Sequence, residues 1–146
     1  MRIYFDNCSL QRPLDDQTQP RIESETEAII AILSFCETGI LTLVSSEILL
    51  TEINENSDLE RKETTLGILS IARENVVADA VIEKRAQEFE KFGIKPMDSL
   101  HLASAEAGQA EYFCTCDDKL LKKAKAQSNL RVKVISPIEL FEEILK

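Results

Sequence analysis

The sequence predicts an α/β domain: a three-layer α/β/α sandwich with a central parallel sheet of about five strands. Two observations carry that reading. Short apolar runs of three to five residues recur along the chain, the form taken by strands buried on both faces of a parallel sheet. Between them lie stretches with apolar residues at helical spacing, several of them closed by glycine. The resulting order is β-α-β-α-α-β-α-α-β-α-β-α, which places helices on both faces of the sheet. No linker, internal repeat or low-complexity segment breaks it, so residues 1–146 read as a single domain.

Taken in order, Arg2-Ile3-Tyr4-Phe5 is a buried strand that ends at Asp6. Asn7 to Pro20 contains two prolines and no hydrophobic period and reads as a loop. Ile22, Ile29, Ile30, Ile32, Leu33 and Phe35 mark an amphipathic helix to about Glu37, with Gly39 suited to its C-cap. Ile40 to Val44 is the second strand, and Ser45 and Ser46 then offer N-cap oxygens to a helix over Glu47–Asn54. A further helix follows Asp58 and runs to about Arg73, and Asn75 to Ala78 is a short third strand. Asp79 starts a helix with Val81, Ile82, Ala86, Phe89 and Phe92 on its apolar face. Pro96 opens a helix rich in small residues, LHLASAEA, that Gly108 closes. Tyr112 to Thr115 is the fourth strand, Asp118 to about Ala126 a basic helix, and Arg131 to Ile135 the fifth strand. Pro137 to Leu145 forms the last helix, with proline in its first turn.

Composition narrows the function classes. Hydrophobic residues make up 44% and charged residues 29%, the balance of a globular chain large enough to bury a core without disulfides. No apolar run approaches the roughly 18 residues a membrane span needs, and the N-terminus lacks the layout of a signal peptide. These features predict an intracellular, cytoplasmic protein. Cys8, Cys36, Cys114 and Cys116, with one histidine in the chain, lack the spacing of a zinc site and read as buried or half-buried thiols. The net charge of −9 runs against simple binding of nucleic acid, which draws on Lys and Arg. The cations are unevenly placed, however. Lys119, Lys122, Lys123, Lys125, Arg131 and Lys133 crowd the C-terminal part, where a solvated helix face is the plainer reading and substrate binding the sharper one.

The acids are the informative residues. In open α/β sheets, ligands bind beyond the carboxyl ends of the strands. Asp6 follows the first strand, and Asp117 with Asp118 follows the fourth. Asp98 opens the helix before the fourth strand, and Glu52, with Glu47 and Glu55 as alternatives, lies on the helix after the second. Each aspartate also suits an ordinary turn or helix cap. Clustered carboxylates are stable when a hard cation offsets their repulsion, and three or four carboxylate oxygens with room for water suit Mg²⁺ or Mn²⁺. Such ions activate water and clamp the oxygens of a phosphodiester without a Ser, Cys or His nucleophile. His101 shares a helix face with Asp98 and reads chiefly as a packed, hydrogen-bonded core residue, with acid–base catalysis as the alternative.

These residues resemble the PIN-domain nucleases, including the VapC-type toxins of toxin–antitoxin pairs. The resemblance spans nearly the whole chain and rests on IYFDNCSL, SSEILLTEI, MDSLHLASA and YFCTCDDKLL. It implies a Mg²⁺- or Mn²⁺-dependent endoribonuclease whose metal-holding and catalytic acids are Asp6, Glu52, Asp98 and Asp117. An antitoxin protein and a homodimer are the partners it implies. Asn7 stands where many members carry Thr or Ser, and Ser9 could then contact a metal-bound water. Thr115, Asp118 and His101 are secondary candidates, and Arg12 and Lys119 are candidates for substrate phosphate. The competing reading is a PIN-like binding or regulatory module with little or no cleavage.

Overall fold

A computed structural model describes residues 1–146. Five parallel strands, β1 (Arg2–Phe5), β2 (Thr42–Ser46), β3 (Glu74–Val76), β4 (Tyr112–Cys114) and β5 (Lys133–Ile135), form one sheet in the order β3-β2-β1-β4-β5. Eight helices connect or follow them: α1 (Asn7–Gln11), α2 (Pro20–Glu37), α3 (Glu47–Asn54), α4 (Leu59–Leu69), α5 (Ala80–Glu90), α6 (Pro96–Ala107), α7 (Asp118–Lys125) and α8 (Pro137–Leu145).

The chain steps from β1 through β2 to β3 in one direction, then returns to β4 on the other side of β1. Right-handed crossovers in opposite directions put their helices on opposite faces. Accordingly α2 packs with α8, whereas α5 pairs with α6, which lies over β2 and β3. The parallel register Tyr4↔Val44 and Tyr4↔Phe113 fixes β1 at the centre, where Ile3, Tyr4 and Phe5 are fully buried. Strand order reverses between β1 and β4, and this reversal opens a crevice at the carboxyl edge of the sheet.

The segment expected to be a loop, residues 7–20, is mostly helical. Asp6 caps α1 by accepting from Ser9 N, and a 3-10 turn follows over Arg12–Leu14. Pro13 and Pro20 sit in the first turns of the 3-10 helix and of α2, where a missing N–H costs nothing. Only Leu10 and Ser9 are buried in α1, too few positions to create a readable period. Other departures reflect chain ends and exposed sites. The second strand begins at Thr42, and Ile40 is exposed. Helix α4 stops at Leu69 and β3 spans only Glu74–Val76. Ile30, Val81 and Phe92 lie on solvent faces, not in the core.

Gly108 closes α6 where two strands press close. A Cβ there would meet Val76 Cγ2 at 2.7 Å and Val44 Cγ1 at 2.8 Å. Valine methyls in a sheet have little room to move. Gly108→Ala should therefore cost about 1–3 kcal/mol by overpacking, read as a lowered urea midpoint at unchanged slope. An unaltered midpoint would show that β2 and β3 yield there.

Candidate active site

Asp6, Glu52, Asp98 and Asp117 line one open cleft of about 320 Å³ at the carboxyl edge of the sheet, together with Asn7, Cys8, Gln11, Asp15, Arg61 and His101. Each acid arrives by a local device. Asp6 is the residue at which β1 turns into α1; its Oδ1 accepts from Ser9 N at 3.1 Å, and the Cys8 thiol lies 3.2 Å from both oxygens. Burial pushes the Asp6 carboxyl up, while bonds from Thr115, Cys8 and Ser9 pull it partly back. Asp98 sits in the first turn of α6 behind Pro96. Its carboxyl is also raised, first by burial and then by the charges of Asp6 and Asp117. Asp117 caps α7, its Oδ1 accepting from Lys119 N at 2.9 Å and Leu120 N at 3.3 Å. The Asp117 amide in turn donates to Thr115 Oγ1 at 3.1 Å.

Glu52 enters from α3 and is held from beneath. His101 Nε2 lies 3.0 Å from Glu52 Oε1, and Nδ1 lies 2.7 Å from the Tyr4 hydroxyl. That hydroxyl is also 2.7 Å from Ser46 Oγ, which accepts from Leu49 N at the start of α3. For a neutral imidazole these partners favour one proton order. Ser46 donates to Tyr4, Tyr4 donates to Nδ1, and the imidazole proton on Nε2 points at the Glu52 carboxylate. The opposite order would set a lone pair against that carboxylate. A buried chain thus links β1, β2 and α6 to one carboxylate of the cleft. Of the two alternatives on the same segment, Glu47 accepts from Ala78 N, and neither it nor Glu55 lines the cleft.

The remaining sequence candidates fall in different places. Asn7 lines the cleft and accepts from Gln11 Nε2 at 2.9 Å. Ser9 is buried behind Asp6 and donates to Cys114 O at 3.1 Å, so it does not face the cleft. Thr115 is likewise buried, beneath Asp6 and Asp117. Asp118 turns away to a two-pronged bond with Arg21, 2.8 Å to each nitrogen. Arg12 is not in the cleft wall: its guanidinium binds Asp15 at 3.1 Å and the buried Glu25 at 3.1 Å, an ionic anchor for α2. Lys119 is exposed beside Asp117. Cys36, Cys114 and Cys116 are buried, as expected, but Cys8 is exposed on the cleft wall.

Four cleft residues, Cys8, Gln11, Asp15 and Arg61, are not among the site candidates that the sequence offers. Arg61 reaches from α4 to Asp15 Oδ1 at 3.0 Å, Gln11 Oε1 at 3.1 Å and Leu14 O at 2.8 Å. Asp15 was visible only as a loop acid. Their pairing spans 46 residues, and no spacing rule signals it.

The donor set fits a hard cation: carboxylate oxygens dominate, and two of the acids are raised by burial or mutual repulsion. As the side chains lie, no three carboxylate, imidazole or thiol groups approach one point closely enough to hold an ion together.

A family model described as PIN domain matches residues 8–126, a span that includes Glu52, Asp98 and Asp117 and begins just after Asp6. Among solved structures, the chain is similar to one in the crystal structure of VapBC2 from Rickettsia felis bound to a DNA fragment from their promoter. That likeness has a TM-score of 0.60 at 17% identity over 93% of this chain and 98% of the other, and it concerns the fold. No curated protein matches the sequence.

Proposed function

Because the chain belongs to the PIN domain family, whose members are generally nucleases that use divalent metals, we propose that it is a Mg²⁺- or Mn²⁺-dependent endoribonuclease. The observation that carries this reading is the sharing of one cleft by Asp6, Glu52, Asp98 and Asp117, with the Asp98 carboxyl raised by burial and then by its aspartate neighbours. These four residues would hold the ion. When bound, the ion supplies Lewis acidity toward a phosphodiester and makes water a competent nucleophile near neutral pH.

The protein's own groups do the positioning. Asp6 is pinned by the Ser9 amide and the Cys8 thiol, so its carboxylate presents oxygens in a fixed direction. Asp117 uses Oδ1 for the cap of α7, which leaves its second oxygen for the cleft. His101 restrains Glu52 while staying buried itself. We further read the protein as the toxin of a cytoplasmic toxin–antitoxin pair, acting as a homodimer and bound by an antitoxin protein. The likeness to a chain of VapBC2, bound in that crystal to promoter DNA, supports the pairing, and no helix is long and apolar enough to cross a membrane.

The test is incubation of the purified protein with a panel of single-stranded and folded RNAs in Mn²⁺, Mg²⁺ or EDTA. Cleavage is expected with either metal, none in EDTA, and none from Asp6→Ala. Cleavage that persists in both EDTA and Asp6→Ala would sink the reading. An inert wild type that binds a partner tightly would instead favour the regulatory-module alternative.

A further inference from the structure

Beside the acid cleft lies a recess of opposite character. Lys95, Lys119 and Lys123 border it, and Asp98 and Asp117 form the wall it shares with the cleft. The three lysines come from two elements. Lys95 is the N-cap residue of α6, whereas Lys119 and Lys123 stand one turn apart on the same face of α7.

Their charges are free of carboxylate partners, as are those of Lys62, Lys84, Lys91 and Lys122, but of these lysines only the three border the cleft acids. In this acidic chain Arg2, Arg12, Arg21, Arg61 and Arg85 are all paired with carboxylates. Among the lysines, Lys125, Lys133 and Lys146 are paired as well. Lys95, Lys119 and Lys123 have no carboxylate partner, and Lys123 Nζ is steadied by Gly93 O at 2.8 Å. No side chain caps α6, so the amides of its first turn add a positive end to the recess. The one cation that lines the cleft itself, Arg61, is engaged by Asp15, Gln11 and Leu14.

A polyanion whose reacting phosphate sits among carboxylates needs cations where its neighbouring phosphates lie, and the lysine recess supplies them beside the cleft. We propose that a single-stranded nucleic acid leaves the acid cleft over the shelf of Lys95, Lys119 and Lys123, which hold its flanking phosphates. The direction of exit rests on the nuclease reading of the cleft; the shelf's affinity for phosphates does not.

The experiment measures anisotropy of a short fluorescein-labelled single-stranded oligoribonucleotide, and of its DNA counterpart, in Ca²⁺ at several salt concentrations. The triple variant Lys95→Gln/Lys119→Gln/Lys123→Gln should bind both roughly tenfold more weakly, with the log–log salt slope reduced by about two. A control with the same charge change, Lys84→Gln/Lys91→Gln/Lys146→Gln, should stay within about twofold of wild type. Equal losses in the two triples, wild-type binding by the shelf variant, or a wild type that binds neither strand would overturn the proposal. So would a shelf variant that loses binding to polyglutamate but not to either oligonucleotide, which would mark the recess as a site for an acidic peptide. The two readings separate cleanly. A shelf-dependent binder that cleaves no RNA keeps the shelf and loses the nuclease. A wild type that cleaves RNA, with undiminished kcat/KM in the shelf variant, does the reverse.

Discussion

Asp98→Asn is expected to abolish most RNA cleavage and, at neutral pH without metal, to raise the melting temperature. The loss follows from removing a charged oxygen donor: several kcal/mol of transition-state stabilisation, about 3–4, corresponds to roughly 10²–10³ in rate. The gain follows from relief of the desolvation and repulsion of a charged carboxylate, since Asp98 is raised first by burial and then by Asp6 and Asp117. Each kcal/mol of relief should appear as about 2–4 °C.

The sign of the pH dependence is set by linkage. A carboxyl with a raised folded pKa binds its proton more tightly in the folded chain. Its stabilising contribution is therefore complete below the unfolded value, about 3.9 for aspartate, and is lost as pH rises through the folded value. The gap in melting temperature between Asp98→Asn and wild type should open as pH rises through that window and close below it. Mn²⁺ should narrow the gap by stabilising wild type more than the variant. Scanning calorimetry of both proteins across pH, with and without Mn²⁺, makes the check. A variant less stable than wild type at neutral pH would show that Asp98 serves its helix more than a charged cluster.

His101→Leu carries the second large effect. It removes both imidazole bonds at once, leaving Glu52 without its restraint and the buried Tyr4 hydroxyl with Ser46 alone. Loss of an outer partner of a metal-holding group costs about 10–100-fold in metal affinity or activity. The lost hydrogen bonds at a buried site add about 1–3 kcal/mol of instability. His101→Gln, whose amide nitrogen falls near the place of Nε2, can still donate to Glu52 and should recover part of the activity without the bond to Tyr4. The measurement is initial rate against Mn²⁺ concentration for the three proteins. A positioning role predicts a shifted metal requirement that the glutamine partly reverses. A His101→Leu protein that folds and keeps the wild-type metal curve would assign the histidine to packing alone.

Much of this architecture is legible in the chain itself. Ile3-Tyr4-Phe5 is apolar without alternation because β1 has helices on both faces, and such a run signals a buried strand of a parallel sheet. The helix ends at Asp79, Pro96, Asp117 and Pro137 are visible because capping and proline chemistry are local. The segment over residues 7–20 is not, because its short helical turns rest on one buried leucine and a cap from Asp6, with no period to read.

The candidate site divides along the same line. Sequence alone singles out Asp6, Glu52, Asp98 and Asp117 through the ends of elements and the motifs around them. Their meeting at one cleft depends on the reversal of strand order between β1 and β4, which is a property of the assembled sheet. Tertiary structure alone removes Arg12 from the cleft, brings Arg61 into it, and ties His101 to Glu52 through a chain that begins at Tyr4. The physical reason is the range of the interactions. Caps and amphipathic faces act within a few residues and leave a pattern in the chain. An ion pair or a buried hydrogen bond between side chains dozens of residues apart exists only once the sheet has set their positions.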